Sequence, residues 1–464
     1  VSEGHSVSSS TSYPRGFRSR RVVNWLTVGL TYTSFYLCRY NLSIANKAIC
    51  SEYGFSKEDF GYILTAFFWA YAIGQFVNGL FSDRLGGKRT MLIGTIGTVV
   101  LNLMFGAAST VGMLSVFVAI RMLDGYMQSF GCPGMVKINT AWFGPTERGR
   151  FAGIFGFVIQ LGRFIINWLG PALMAGFSIL ILTVPPLHWK WVFWVPAGIT
   201  VLTAISLYVF AANTPEEAGW PNVIARDNPT DQSDDPLPVG YVVKTILSNR
   251  YVWIVALAYF CTGVVRQGID QWFPRYLEDC HNISLKSPQF QSVAFMLPMA
   301  AVLGSIFAGY VSDLFFQGRR APVAAALYFG ETVIILTGAY VMASLFPAGH
   351  AVTQPVFAFC GFQISGVNVV CGFLLLISFT ANATHSILGT AAAMDIGGRR
   401  MAGCAVGVID SFQYIGGGLS GFALGKLLDL YGWNAWLTSL AGFGILGGCL
   451  MLSIRKKTQL HTAA

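Results

Sequence analysis

Gly79-Leu-Phe-Ser-Asp83-Arg84-Leu-Gly86-Gly-Lys88-Arg89 sits between two long apolar runs, and Gly309-Tyr-Val-Ser-Asp313, followed by Gly318-Arg319-Arg320, sits between two more. Asp83 and Asp313 lie about half the chain length apart. One such loop alone would be an ordinary topogenic turn. Two copies on corresponding loops at half-length spacing point to an internal duplication of six membrane segments. The chemistry of the motif is legible. Glycine (Gly79, Gly86) lets helices approach closely, and aspartate (Asp83, Asp313) can meet a helix N-terminus or a basic neighbour. The arginines (Arg84, Arg89, Arg319, Arg320) hold the loop at a charged membrane surface.

Outward from the motif, the composition is that of a chain whose main solvent is lipid. Of 464 residues, 54% are hydrophobic and only 11% charged, against roughly 25% charged in soluble domains. Apolar stretches long enough to cross the hydrocarbon core as helices fall at 22–44, 60–82, 89–108, 113–136, 151–175, 190–211, 250–272, 290–312, 321–345, 366–392, 401–427 and 433–454. The fold class expected is therefore an all-α membrane protein of twelve transmembrane helices. Its divisions are an N-terminal segment 1–21, a six-helix bundle 22–212, a linker 213–249, a second bundle 250–454 and a tail 455–464. The nearly unbroken apolar run 356–394 is too long for one crossing, and an interfacial or re-entrant piece near Gly361–Gly366 would absorb the excess.

The net charge of +9 is distributed in a way that argues for topology and against nucleic acid as a partner. Basic residues crowd the N-terminus, alternate loops (Arg84, Lys88, Arg89; Arg148, Arg150; Arg226, Lys244, Arg250; Arg319, Arg320; Arg399, Arg400) and Arg455–Lys457, whereas the opposite loops hold only Lys47, Lys57, Lys190, Arg275 and Lys286. The positive-inside rule then places both termini and the linker in the cytoplasm. Val1–Tyr13 is Ser-rich without the apolar core of a cleaved signal, so the first span is expected to direct insertion. The nine cysteines show no CxxC and no metal-ligand spacing; they read as small packing residues, although Cys50 and Cys280, in equivalent outward loops of the two halves, leave a disulfide open. No metal, cofactor or enzymatic activity is expected.

Charged side chains inside the membrane mark function by default. Arg39, Arg163 and Arg266 lie near the middle of spans, with Asp124, Asp270, Glu331, His385 and Asp410 as weaker candidates. In the first span Tyr32, Tyr36 and Arg39 share one helical face. Arg266 occupies the first span of the second half, in Arg266-Gln-Gly268-Ile-Asp270-Gln-Trp272-Phe-Pro274. Two arginines at matching depth in repeat-related helices would face each other across the central axis. Guanidinium forks bind tetrahedral oxyanions bidentately and keep their charge when desolvated, which suits phosphate. The alternative is that each is neutralised by a carboxylate such as Asp270 and only fixes packing. Asp124, three residues after Arg121, reads as a helix–helix ion pair. His385 reads either as a proton relay or as a packed ring bonded to a carbonyl, and Glu331 as a peripheral residue outside the site.

The doubled motif, Arg121-x-x-x-Gly125 in the fourth span and the chain length resemble the major facilitator superfamily over roughly residues 20–455. That resemblance implies two six-helix bundles that rock about a central site. Tyr36-Leu-Cys-Arg39-x-Asn41, Tyr71-Ala-Ile-Gly-Gln75, Gly131-Cys-Pro133, Asn213-Thr-Pro215-Glu216 and Arg266-x-Gly268-x-x-x-Trp272-x-Pro274 are similar, more narrowly, to the organophosphate:phosphate antiporter family. It implies that Arg39 and Arg266 hold a phosphoryl group while Tyr32, Tyr36, Tyr71 and Tyr414 line the cavity. It also implies exchange of a small organic phosphate for inorganic phosphate, at the cell (inner) membrane, by a monomer. Where glycerol-phosphate carriers have a lysine and a histidine, this chain has Gln75 and Ile159. Arg163 lies one turn from Ile159 on the same face, and Gln160, about 100° round the helix from Ile159, is still expected to border the pocket. Arg163 either restores the missing charge, or points to a headgroup, or pairs with Asp124. A membrane-bound phosphate-ester sensor and a sialin-like organic-anion:proton symporter are the other functions this pattern allows.

Overall fold

The computed structural model describes residues 14–143, 145–179, 182–221, 238–316, 319–345, 355–359 and 362–455. In the first half α1 (Phe17–Tyr53), α2 (Lys57–Leu85), α3 (Gly87–Ala107), α4 (Leu114–Gln128) with α5 (Gly131–Trp142), α6 (Pro145–Ala175) and α7 (Trp191–Phe210) make six crossings. The short α8 (Val239–Ser248) leads into α9 (Arg250–His281), α10 (Pro288–Phe316), α11 (Arg320–Leu345), α12 (Gly366–Ser386), α13 (Ala393–Tyr431) and α14 (Asn434–Ser453), which make six more. This is the all-α, twelve-helix, two-bundle membrane fold that the sequence leads one to expect. Helices dominate because lipid offers no partner to an unpaired backbone N–H or C=O.

One expectation is corrected in detail and another is given its form. The span expected at 113–136 is broken at Ser129–Phe130 into α4 and α5. Pro133 has no N–H to give the Ser129 carbonyl, and the chain tightens there through Ser129 N to Tyr126 O and Phe130 N to Met127 O, each 3.3 Å. The excess apolar sequence before α12 forms an antiparallel hairpin of β3 (Pro355–Phe359) and β4 (Phe362–Ser365), matched in kind by β1 (Phe177–Ile179) and β2 (Leu182–Val184) after α6. A two-stranded hairpin pairs its inner backbone groups and leaves its outer ones to water, which suits an interfacial position.

Burial separates axial from lipid-facing helices. The apolar window of α9 is 78% buried, against 33% in α7 and 39% in α10 and α11. The halves meet through α2 on α13, α6 on α10 and α1 on α9. Glycine sets the closest approach: a Cβ on Gly61 would stand 2.4 Å from the Gly421 carbonyl oxygen, and one on Gly425 2.3 Å from that of Lys57. At this end, opposite the face where α1 enters and α14 leaves, Asp429 of α13 accepts from the backbone N–H groups of Lys57 (3.2 Å) and Glu58 (2.7 Å) at the start of α2. The helix N-terminus of one half is thus capped by a carboxylate of the other. Lys47–Asp279 (3.3 Å) and Arg275 to Asn46 (2.7 Å) add further links across the same end. Cys50 and Cys280 are free thiols, so the disulfide alternative is not realised. Cys50 instead receives Arg275 Nη1 at 3.1 Å.

Candidate functional site

Arg39 is built into α1 from beneath. Arg121 of α4 pairs with Asp124 at 2.6 Å, as their spacing suggests, and donates to the backbone carbonyls of Cys38 (3.1 Å) and Arg39 (2.7 Å). Gln128 receives Arg39 Nε at 3.2 Å and donates to both Asp124 oxygens at 3.2 Å. The Arg121-x-x-x-Gly125 motif therefore works as a brace: its charge is spent on holding the peptide that carries Arg39, while a Cβ at Gly125 would meet the Phe67 carbonyl oxygen at 2.2 Å. Above the brace, the Arg39 guanidinium stacks over Tyr71 (4.5 Å) and Tyr36 (4.8 Å), and Nη1 donates to the Tyr414 hydroxyl at 3.4 Å. Arg39 is 2% exposed, yet its Nη2 has no hydrogen-bond partner among the described residues. A buried guanidinium nitrogen with open N–H groups is what an oxyanion would complete.

Arg266 approaches from the other half. Its Nε donates to Asn382 of α12 at 3.0 Å, and Asp270 lies one turn on with Oδ2 at 3.9 Å. Asp270 is shared, because its other oxygen takes Arg163 Nη2 from α6 in a buried ion pair between the halves. Arg163 thus joins neither Asp124 nor a headgroup; it stacks over Tyr40 at 4.8 Å and bonds Gln160 at 3.4 Å. Tyr36 and Tyr414 lie within electrostatic reach of both Arg39 and Arg266. Tyr71 and Tyr414 touch across the halves at 4.3 Å, and Tyr32 packs on Tyr36 at 5.7 Å. Gln75 donates to the Tyr71 hydroxyl (3.1 Å) and to Asp410 (3.4 Å). The Ile159 side chain lies outside the described residues. Among the described residues three guanidiniums, Arg39, Arg163 and Arg266, face two carboxylates, Asp270 and Asp410, so the described cluster keeps a net positive charge.

Sequence reading missed Gln128, Asn382 and Tyr40. The signal was available for one of them: Gln128 stands one helical turn after Asp124 inside the membrane. Asn382 and Tyr40 acquire meaning only when α12 and α6 are folded against α9 and α1. Glu331, read as peripheral, is fully buried in α11 with neither carboxylate oxygen bonded among the described residues.

The repeated motif lies away from this cluster. Gly86 joins α2 to α3 at φ +80°, a conformation that favours glycine, and Asn213 of the Asn-Thr-Pro-Glu motif accepts the Lys88 N–H beside it at 2.8 Å. A Cβ at Gly79 would meet open space. Arg84, Arg89 and Arg319 are exposed, and Arg320 donates to Ser312 at 2.8 Å. The side chains of Asp83 and Asp313 lie outside the described residues. Among those residues no three His, Cys, Asp or Glu side chains converge as a metal site.

The model of the family described as Major Facilitator Superfamily matches residues 28–421. The chain belongs to the major facilitator superfamily. Relatives of this major facilitator protein include the "Membrane sensor protein UhpC" of Salmonella typhimurium, 26% identical over 92% of this chain and 90% of that one. The "Glycerol-3-phosphate transporter" of Bacillus subtilis is 26% identical over 93% and 91%, and the "Phosphoglycerate transporter protein" of Salmonella typhimurium 26% over 95% and 92%. Among solved structures, a bacterial homologue of the human lysosomal transporter Spinster, in an inward-facing and unoccupied conformation, superposes with TM-score 0.63 at 14% identity, covering 95% of each chain. That likeness bears on the fold alone.

Proposed function

We propose that this major facilitator protein is a secondary transporter that exchanges a small phosphorylated organic anion for inorganic phosphate by alternating access. The observation that carries the reading is Arg39: buried, cradled by tyrosines, and left among the described residues with an unpaired Nη2 in a cluster of net positive charge. A phosphoryl group placed between Arg39 and Arg266 would bridge the halves and link binding to closure. Relatives named for glycerol-3-phosphate, hexose phosphate and phosphoglycerate transport support the substrate class. The charge pattern of the loops supports cytoplasmic termini in a cell (inner) membrane, and a monomer suffices because both arginines come from one chain.

The test is counterflow of labelled inorganic phosphate in proteoliposomes against three-carbon and six-carbon phosphate esters. Accelerated exchange with at least one ester is expected. A second reading is favoured by the relatives named as membrane sensors. A sensor would be thermally stabilised by a phosphate ester while exchanging none, and that pairing of results would displace the transporter reading.

A further inference from the structure

The seams between the two halves are built differently. Along α2 and α13 glycines bring backbone onto backbone, whereas α6 and α10 enclose a crevice of about 420 Å³ in the half of the membrane nearer the Asp429 end. Small-molecule sites run to roughly 300–1,000 Å³, so the space is large enough to hold a ligand. Phe164, Asn167 and Trp168 of α6 form one wall, and Gln291, Ser292 and Phe295 of α10 form the other. At the mouth, Trp168 and Phe295 are 50% and 49% exposed, and Met296, Leu303 and Ile306 continue the exposed apolar surface of α10. The crevice therefore opens sideways, into the hydrocarbon that covers these helices.

Along the membrane normal the lining changes character in a fixed order. Because α6 runs toward the Asp429 end and α10 away from it, Phe164 and Phe295 are the deepest pair, packed edge to face at 5.3 Å. Asn167, Gln291 and Ser292 come about one turn nearer the surface. Asn167 is 4% exposed, and no hydrogen bond reaches its amide among the described residues. A buried amide needs a partner. Outermost stands Lys286, whose carbonyl accepts from Gln291 Nε2 at 3.5 Å and whose Nζ crosses the seam to the Ala175 carbonyl at the end of α6. It is exposed and held there by a neutral oxygen, so its charge is available to an anion. An apolar floor, a neutral donor and then a cation match the acyl chain, ester carbonyl and phosphate of a glycerophospholipid. A soluble phosphate ester fits less well, because the mouth faces hydrocarbon and the deep wall offers it two phenyl rings.

We propose that the crevice between α6 and α10 binds one glycerophospholipid from the leaflet at the Asp429 end, and that this lipid favours closure of that end. One acyl chain lies between Phe164, Trp168 and Phe295. The Asn167 amide donates to an ester carbonyl, and Lys286 meets the phosphate. The two walls belong to opposite halves, so the lipid touches both only while they stand as close as they do here. A ligand with higher affinity for one arrangement shifts the equilibrium toward it. The site stands apart from the question of whether the protein transports or signals.

The test is native mass spectrometry of the full-length protein in detergent with added phosphatidylglycerol. Wild type should hold one lipid under conditions that strip the rest. Ala294, a buried residue of the α10 wall, gives the filling variant: Ala294→Phe should hold none. Lys286→Gln, an exposed change that leaves the packing alone, should bind several-fold more weakly, and it alone decides should Ala294→Phe fail to fold. Loss of all lipid from wild type, or equal retention by wild type and either variant, overturns the site. Displacement of the lipid by excess glycerol phosphate also overturns it, because the crevice would then belong to a path for soluble esters. Closure is read from a cysteine placed near Asp279. In wild type, phosphatidylglycerol should slow its reaction with a membrane-impermeant thiol reagent several-fold, and in Lys286→Gln the same lipid concentration should slow it less. No slowing in wild type, or equal slowing in both, overturns the effect on closure.

Discussion

At the scale of single residues, the decisive distinction is between arginines whose charge is spent and those whose charge remains open. Arg121 is consumed by Asp124 and two backbone carbonyls, and Arg163 by Asp270, whereas Arg39 keeps a nitrogen with no partner among the described residues. Arg39→Lys or Arg266→Lys retains the charge but loses the planar fork. A charge-assisted hydrogen bond is worth about 1.5–3 kcal/mol, so exchange should fall by roughly tenfold to a hundredfold with membrane expression unchanged. Wild-type rates for either variant, measured by reconstituted counterflow, would remove the phosphoryl role. Asp270→Asn should behave differently, because it leaves the buried Arg163 without its counter-charge, a change that costs roughly 3–5 kcal/mol in proteins. Thermal unfolding in detergent should show the loss, and Arg163→Gln in the same chain should recover much of it. Additive losses would mean that the pair is not coupled.

At the scale of elements, α2 and α13 are the joint between the halves. Gly61, Gly421 and Gly425 allow backbone to approach backbone, as small residues do where membrane helices pack closely. Gly61→Leu should wedge this joint apart. Spin labels on α2 and α13 near the Asp429 end should report a longer distance, with exchange reduced at least several-fold. An unchanged distance distribution would show that the glycine contact does not control closure. The close approach was not legible in the sequence as a joint, since glycines are abundant throughout the chain. Only the pairing of these particular turns gives them a shared role. The break between α4 and α5 was legible in principle, because Pro133 was on the page, but its effect was hidden inside an uninterrupted apolar run.

At the scale of the whole molecule, the end bearing Asp429 is closed by contacts that an alternating-access cycle must break. The Asp429 carboxylate caps α2 across the halves, and caps of this kind contribute about 0.5–2 kcal/mol. Asp429→Ala should therefore shift the equilibrium between the two access states by roughly twofold to thirtyfold toward opening at this end. Accessibility of a cysteine placed near Asp279 to a membrane-impermeant reagent would measure it, and an unchanged labelling rate would count against the latch.

Membrane class, crossing number and two-fold repeat were determined by the sequence alone, because apolar length and loop charge answer to the bilayer rather than to any neighbour. The presence of Arg39 and Arg266 inside expected spans was equally plain, since a guanidinium in such a segment is conspicuous wherever the helix packs. What Arg163 does was decided only by tertiary structure. Whether a charge is open or spent depends on which helix lies opposite, and the partner of Arg163 is Asp270 in the other half of the chain. The same holds for Tyr259, an ordinary aromatic until α12 brings His385 Nδ1 to its hydroxyl. Periodicity within one helix carries no record of such contacts, because they are made between segments far apart in sequence.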